Sequence, residues 1–286
     1  MATTLSDHAS KRDNADGDVL ARLLAKQRTV VMGVVNVTPD SFSDGGRFLD
    51  PQAAIAQARR LATEGADILD IGAESTRPYG GAVRVSVEEE RARLQPVLSE
   101  VIALGCPVSV DTMKAAIAAW AIELGATIVN DVWGLQRDPD LARVVAERGV
   151  PVIIMHNRDA ADPAIDIVAD VMSFFERSLA IAARAGIARE RIVLDPGIGF
   201  GKTSEQSIIC IARLAAFRSF GLPLLVGASR KRFIHTITPS EPMERLGGSL
   251  AAHLVAVENG AAIVRVHDVA PTIQALAVAA AIRQAR

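Results

Sequence analysis

The sequence has few cysteines and no excess of charge of either sign, and each scarcity excludes a class of protein. Only two cysteines, Cys106 and Cys210, occur in 286 residues, and they stand in no metal-binding or redox spacing. We therefore expect both thiols in the core, without a disulfide, as is typical of a reducing compartment. The 31 lysines and arginines nearly balance the 33 acidic residues, for a net charge of −2. This balance argues against a general binder of nucleic acid or anionic membrane, but it leaves room for a local basic pocket.

Long apolar runs are also missing. No stretch approaches the roughly 20 apolar residues that a membrane-spanning helix needs. The polar segment 1–17 lacks the apolar run of a signal peptide. The sequence thus predicts a cytoplasmic protein in which residues 1–17 form a disordered segment. Residues 18–286 are expected to form one catalytic domain that starts with a short helix.

A nucleotide-binding loop is absent too, although the segment D-P-G-I-G-F-G-K-T (195–203) looks like one. The phosphate-binding pattern requires a glycine five residues before Gly201. Pro196 stands there instead, and proline has no backbone N–H to offer a phosphate. The glycine spacing also fails the dinucleotide-binding fingerprint. The purpose of this segment must therefore come from its context.

What the chain does contain is a repeated unit of an apolar run followed by an alanine-rich helical pattern. The runs cover residues 30–36, 66–73, 107–112, 126–131, 151–157, 191–197, 223–229 and 262–268. Their continuous apolar character indicates strands buried on both faces, as in a parallel sheet. Several helical segments end in glycine, a common helix stop. Eight such units predict a single-domain α/β protein, a (β/α)₈ TIM barrel, with an open doubly wound sheet as the alternative.

Polar residues follow every predicted strand. Active sites of TIM barrels lie at the C-terminal ends of the strands. Loops are generally polar, and that explanation would suffice for Asp70 or Asp131 taken singly. Paired groups at nearly all eight ends indicate a site instead. The residues in question are Asn36, Asp70 with Glu74, Asp111, Asn130 with Asp131, His156 with Asn157, Asp195, Ser229 with Lys231, and Arg265 with His267.

Cationic residues concentrate after strands seven and eight, where barrels of this kind often bind phosphate. Lys231 and Arg265 lie nearest the strand ends and suit a phosphate or diphosphate. For Arg230 and Arg232 the competing interpretation is ordinary surface charge, which we prefer for Arg232.

The remaining polar groups suggest a heterocycle and a metal. Asp111, Asn130 and Asp195 could bind the amino-pyrimidinone edge of a flat heterocycle, because a carboxylate accepts two N–H groups and an amide both donates and accepts. Asn36 ends strand one beside further oxygen-bearing side chains, and such ligands next to a diphosphate favour Mg²⁺. The following residues 44–46 are expected to form a mobile lid, or else a tight turn.

Seven motifs occur in one order: N-V-T-P-D-S-F-S-D-G-G, D-I-G-A-E-S-T-R-P, S-V-D-T, N-D-V, D-P-G-I-G-F-G-K-T, S-R-K and R-V-H-D. From about residue 30 to the C-terminus the chain thereby resembles the dihydropteroate synthase family. The resemblance implies a (β/α)₈ barrel, a homodimer, and the joining of 4-aminobenzoate to 6-hydroxymethyl-7,8-dihydropterin diphosphate. Diphosphate is released and 7,8-dihydropteroate is formed for folate synthesis.

The resemblance also implies roles for individual residues. Asp111, Asn130, Asp195 and Lys231 would hold the pterin. Asn36, Arg265 and His267 would bind diphosphate, with Mg²⁺ near Asn36. Thr76, Arg77, Pro78, Phe200 and Ser229 would form the aminobenzoate pocket. The catalytic set would be Asp111, Lys231, Arg265 and His267.

The implied mechanism is a dissociative substitution, in which diphosphate leaves before the amine attacks. No protein nucleophile is needed, and Lys202 is expected to point to solvent without a catalytic role. Two other functions compete: a methyltetrahydrofolate-dependent corrinoid methyltransferase, and a non-catalytic pterin-binding paralogue. S-R-K with R-V-H-D argues against the first, because a methyltransferase needs no diphosphate site. The retained Asn36, Lys231, Arg265 and His267 argue against the second.

Overall fold

The computed structural model describes residues 19–38, 50–74 and 85–285. Its eight strands pair in parallel, in chain order, and close into a barrel through hydrogen bonds between the first and last strands. The (β/α)₈ prediction is confirmed, and the open-sheet alternative is wrong. The strands are Val30–Asn36 (β1), Ile68–Gly72 (β2), Val108–Asp111 (β3), Ile128–Asp131 (β4), Val152–Met155 (β5), Ile192–Asp195 (β6), Leu224–Val226 (β7) and Ala261–Val266 (β8).

Helices follow the strands around the outside of the barrel. Their ends carry the expected signals. Asp50 caps the N-terminus of one helix by accepting a hydrogen bond from the Gln52 N–H. Gly149 and Gly186 end two other helices at their C-termini, in the left-handed conformation. The α-helices are Val19–Leu24 (α1), Pro51–Thr63 (α2), Val87–Ile102 (α3), Ala115–Leu124 (α4), Leu141–Arg148 (α5), Ile167–Ala185 (α6), Ser204–Ala212 (α7), Arg232–Ile237 (α8), Leu246–Glu258 (α9) and Val269–Gln284 (α10). Short 3₁₀ helices cover Arg189–Arg191, Leu214–Phe220 and Pro242–Glu244.

Two apolar cores fill the protein but leave the C-terminal end of the barrel open. The larger core lies between the strands and the surrounding helices. A smaller one fills the barrel interior near the N-terminal ends of the strands, where Leu20 and Leu23 of α1 pack against Met32, Ile68 and their neighbours. Helix α1 therefore plugs the bottom of the barrel.

Asp67 fastens this closed end. Its carboxylate accepts hydrogen bonds from Lys26 at 2.6 Å, from two nitrogens of Arg28 at 2.8 Å, and from the Val31 N–H at 2.9 Å. Burial alone would raise the pKa of Asp67, but these hydrogen bonds outweigh it and hold the pKa below its ordinary value. The carboxylate thus ties the segment after α1 to the start of β1.

Some predictions concern residues outside the described part of the chain. They include the disordered segment 1–17, the lid at 44–46, and Thr76, Arg77 and Pro78 of the aminobenzoate pocket. No helix among the described residues is long and apolar enough to cross a membrane. Cys106 and Cys210 are both free thiols, half-buried and buried respectively.

Candidate active site

A cleft of about 470 Å³ opens at the C-terminal ends of the strands. Every described residue to which the resemblance gives a role lines it, although these residues come from six strands and the loops that follow them. Asp70, Asp131, His156 and Asn157, also noted at the strand ends, do not line it. The predicted residues in the cleft are Asn36, Asp111, Asn130, Asp195, Phe200, Ser229, Lys231, Arg265 and His267. The structure therefore brings the predicted set together at one place.

The floor of the cleft is a guanidinium held between two carboxylates. Arg265 donates from Nε to Asp70 Oδ2 at 2.6 Å and from Nη2 to Asp111 Oδ2 at 2.8 Å. Asn130 also donates to Asp70 Oδ2, at 3.2 Å. Burial first, and then the neighbouring Asp70 charge, raises the pKa of Asp111, while Arg265 opposes the rise. Asp70, for which loop polarity was a sufficient explanation in the sequence, proves to be the fully buried anchor of Arg265.

Asp195 lies across the cleft at the end of β6. Its Oδ1 accepts a hydrogen bond from the Gly197 N–H at 2.7 Å. Burial raises the pKa of Asp195 to about 6, although Lys231 and Arg265 counteract the rise. The Asp195 carboxyl thus keeps acceptor capacity for a ligand.

The upper wall joins the loops after β6, β7 and β8. The Lys231 ammonium lies 3.9 Å from the centre of the Phe200 ring, a cation–π arrangement. His267 Nδ1 and Ser229 Oγ are 2.9 Å apart, and the His267 backbone N–H donates to the same hydroxyl at 3.2 Å. One hydroxyl therefore links two loops that carry predicted substrate-binding groups.

Three polar residues at the strand ends have other partners. Asp131 accepts from the N–H groups of Trp133 at 2.8 Å and Leu135 at 2.5 Å, which fixes the turn after β4. His156 is fully buried, and its Nε2 lies 2.9 Å from Asp170 of α6. Arg230 donates to both carboxylate oxygens of Asp268, at 3.0 and 2.6 Å.

Lys202 departs most from its prediction. The expectation that it points to solvent is wrong: the side chain is only 1% exposed and lines the cleft. Its Nζ lies 2.6 Å from His156 Nδ1 and donates to the Phe200 carbonyl at 3.1 Å. Burial lowers the pKa of Lys202 to about 8. No signal in the sequence distinguishes this lysine from one at the start of an exposed helix.

The glycines of the 195–203 segment serve a close packing that the sequence did not predict. A Cβ on Gly197 would lie 2.0 Å from the His156 carbonyl oxygen, and one on Gly201 would lie 2.5 Å from Arg158 Cβ. Both glycines also have left-handed φ values, of 67° and 54°. The segment is thus pressed against the loop that follows β5. A Cβ on Gly199 would instead lie 3.2 Å from the side chain of Lys231, a predicted substrate-binding residue.

Two side chains at the cleft could contribute oxygen ligands to a magnesium ion. The described residues contain no group of three or more His, Cys, Asp or Glu side chains placed to hold a metal. Asn36 and Thr38 nevertheless present oxygen atoms at the cleft beside β1. Mg²⁺ is commonly bound through one or two protein oxygens plus substrate phosphates. The residues present therefore fit a diphosphate-bound Mg²⁺.

Known proteins share the sequence and the fold of this chain. The pterin binding enzyme family matches residues 32–267. The chain is 45% identical over 245 residues to the dihydropteroate synthase of Bacillus subtilis, with 85% of each chain covered. The dihydropteroate synthase of Clostridium difficile, solved in the presence of pteroic acid, is similar at a TM-score of 0.85 and 44% identity, covering 90% of this chain and 97% of that one. The enzyme of Xanthomonas albilineans, solved with 4-aminobenzoic acid, is similar at a TM-score of 0.85 and 46% identity, covering 90% and 93%.

Proposed function

Because this chain belongs to the pterin-binding enzyme family, we infer that its cleft condenses 6-hydroxymethyl-7,8-dihydropterin diphosphate with 4-aminobenzoate. The chain is then a transferase, a dihydropteroate synthase of folate biosynthesis. The observation that carries this function is the meeting of Asp195, Asn130, Lys231 and Arg265 in one cleft. Three of these groups suit the pterin ring and the fourth suits its diphosphate, so together they fit the first substrate.

The pterin is assigned to the deep half of the cleft. Asp195 keeps one oxygen on the Gly197 N–H, so its other oxygen can accept from the amino-pyrimidinone edge. Asn130 lies at the end of β4, two strands away from β6, with its amide held by Asp70. Lys231 covers the heterocycle from above, and Asp111 adds negative charge near the carbon that becomes positive as diphosphate leaves.

The diphosphate is assigned to Asn36, Arg265 and His267. The guanidinium and the imidazole would stabilise negative charge that grows on the leaving oxygen, while the carbon–oxygen bond breaks and its electron pair departs with diphosphate. A Mg²⁺ bound by Asn36 and the diphosphate would add further charge stabilisation. Arg265 is already oriented by Asp70 and Asp111, so it needs little reorganisation to do this.

The second substrate is assigned to the space beside Phe200 and Ser229. The Phe200 ring offers an apolar wall for the aromatic ring of 4-aminobenzoate. The amine then attacks the pterin methylene carbon directly, so no protein nucleophile takes part. Thr76, Arg77 and Pro78, which lie outside the described residues, complete this proposal.

We further propose that two copies of the chain associate. Four large apolar side chains on the C-terminal third are more than half exposed: Ile237, Met243, Val278 and Ile282. Val278 and Ile282 are four residues apart on α10 and therefore share one face of that helix. Light scattering of the purified protein should give the mass of a dimer, and Ile282→Glu should shift it toward the monomer.

The proposed reaction is tested by measuring diphosphate release. We expect release that depends on both dihydropterin diphosphate and 4-aminobenzoate, with formation of 7,8-dihydropteroate in equal amount. The proposal also predicts the order of binding: Mg²⁺ and diphosphate should strengthen 4-aminobenzoate binding in calorimetry. Release with the pterin alone, or methyl transfer from methyltetrahydrofolate, would contradict the assignment.

A further inference from the structure

Lys202 occupies an unusual place for a lysine. Its side chain runs inside the protein from the end of the 195–203 segment toward the loop after β5. Burying an ammonium is costly unless hydrogen bonds compensate it. The reaction assigned to the cleft does not use this group, so the retention of the buried charge needs another explanation.

Lys202, His156 and Asp170 form a series of hydrogen bonds that runs from the cleft toward the protein surface. His156 Nε2 lies 2.9 Å from Asp170 Oδ2, and His156 Nδ1 lies 2.6 Å from Lys202 Nζ. A carboxylate can only accept, so the imidazole carries its proton on Nε2 and offers the Nδ1 lone pair to the ammonium. Burial, together with the Lys202 charge, lowers the pKa of His156 to about 4, which agrees with a neutral ring. The carboxylate on α6 thereby orients the ring that orients the lysine.

The other end of this series of hydrogen bonds is the Phe200 backbone. Lys202 Nζ donates to the Phe200 carbonyl at 3.1 Å, and the Phe200 N–H donates to the Gly197 carbonyl at 3.1 Å. Phe200 stands between Gly199 and Gly201, both of which have the left-handed φ values of a tight turn. The Lys202 hydrogen bond thus fixes the Phe200 carbonyl within this turn.

We propose that Lys202 is a positioning residue: its hydrogen bonds to the Phe200 carbonyl and to His156 hold the Phe200 ring in place as a wall of the 4-aminobenzoate pocket. This inference rests on the proposed function, because it assigns the pocket beside Phe200 to that substrate. Lys202 acts through Phe200 and not on the reacting atoms. Its loss should therefore affect the second substrate and spare the first.

The test compares Lys202→Met with Lys26→Met in the full-length protein. Methionine keeps the length of the buried side chain and removes its charge, whereas Lys26 lies 42% exposed at the closed end of the barrel. We expect Lys202→Met to raise the KM for 4-aminobenzoate about tenfold, the effect of losing one charge-assisted hydrogen bond. The pterin-diphosphate dissociation constant should change by less than about twofold, and Lys26→Met should change neither.

Two further variants separate positioning from general damage. Lys202→Ala opens a space to the cleft, and added methylammonium should restore much of the 4-aminobenzoate affinity. Asp170→Asn changes the outer end of this series of hydrogen bonds, on α6 and outside the cleft. It should raise the KM for 4-aminobenzoate by a smaller factor than Lys202→Met does. Asp170→Asn also keeps the inference testable if Lys202→Met does not fold.

The outcomes distinguish this inference from the function it rests on. If wild type condenses the two substrates but Lys202→Met weakens both ligands equally, or neither, the positioning role is wrong. Parallel losses of thermal stability and of affinity for both ligands, without rescue by methylammonium, would make Lys202 a structural residue only. If wild type itself fails to bind 4-aminobenzoate or to release diphosphate, the proposed function fails first.

Discussion

Replacing Arg265 by methionine probes the floor of the cleft most directly. The change removes the guanidinium that lies between Asp70 and Asp111 and keeps an apolar stem of similar length. Asp70 is fully buried and the Asp111 side chain is 15% exposed, so two carboxylates would face each other with little access to water. In the described part of the chain, Asp70 Oδ1 already lacks a hydrogen-bond partner. The variant would therefore lose the positive charge that compensates the burial of these two carboxylates.

The size of the loss follows from the burial of the pair. Removing one partner of a buried ion pair costs about 3–5 kcal/mol, because the other charge stays buried and unpaired. The Arg265 side chain is 18% exposed, so water partly screens the pair. We therefore expect a loss of unfolding free energy near the lower end of this range, at about 3 kcal/mol. Asp70→Asn combined with Arg265→Met should recover about 1–3 kcal/mol of that loss, since one carboxylate is then removed.

The loss should also depend on pH. Burial and mutual repulsion raise the pKa of a carboxyl in the folded state, as they already do for Asp111 in wild type. The folded variant then binds protons more readily than the unfolded chain, so its stability rises as pH falls below the raised pKa. We expect the deficit of Arg265→Met to shrink between pH 7 and pH 5. The double variant should show a weaker pH dependence.

Urea unfolding at these two pH values measures both effects. Arg143→Met is the matched control, because Arg143 pairs with Glu147 at 3.1 Å on the surface, with both side chains more than half exposed. It should leave the stability close to that of wild type at either pH. An Arg265→Met variant as stable as wild type, or a deficit that is the same at pH 5 and pH 7, would refute the electrostatic reasoning.

Three further predictions test other parts of the molecule. Asp195→Asn should weaken pterin-diphosphate binding about 10- to 150-fold in calorimetry, because the amide presents N–H groups to donors. Wild-type affinity should fall as pH drops below the Asp195 pKa of about 6, and the variant should lack that fall; a flat wild-type profile would contradict the assignment. Gly201→Ala should cost about 1–3 kcal/mol more than Gly105→Ala in urea unfolding. Both positions have left-handed φ, but only at Gly201 does a Cβ meet neighbouring backbone, that of Arg158, whereas Gly105 has no atom within 4 Å; equal losses would show that the packing is not required. Asp67→Asn should lower stability by about 1–3 kcal/mol at pH 7. The folded pKa of Asp67 is lowered, so wild type should lose this advantage only as pH falls below about 4, and an undiminished gap at lower pH would count against it.

The positions of the strands and the residues that line the cleft could be predicted because both follow from short stretches of sequence. Each strand is an apolar run, and each run ends in a polar residue, so parallel pairing in chain order suffices to collect Asp111, Asn130 and Asp195 at one end of the barrel. The first strand matches its predicted run, and the other seven are shorter than predicted, by up to two residues at the start and three at the end, although β8 begins one residue early. The polar residues at those ends belong to the loops that carry the site.

The contacts within the cleft could not be predicted in the same way. The pairing of Arg265 with Asp70 depends on side-chain direction around a closed barrel, and the two residues are 195 positions apart in sequence. The prediction that Lys202 reaches solvent was wrong for a related reason. A lysine near a helix start ordinarily reaches solvent. Its burial here depends on an acceptor in the loop after β5, His156. Such partners become visible only when the fold has brought them together.

The position of Arg265 on the last strand also bears on how the protein is made. A growing chain exposes Asp70 and Asp111 long before it contains β8, and neither carboxylate can be buried cheaply without the guanidinium. The barrel interior should therefore stay hydrated until translation is nearly finished, and closure of the cylinder and completion of its acidic floor become a single late event. A message truncated before β8 would not yield a smaller barrel. It would yield an open, negatively charged sheet with exposed edges, which is a substrate for cellular proteases and a source of aggregation.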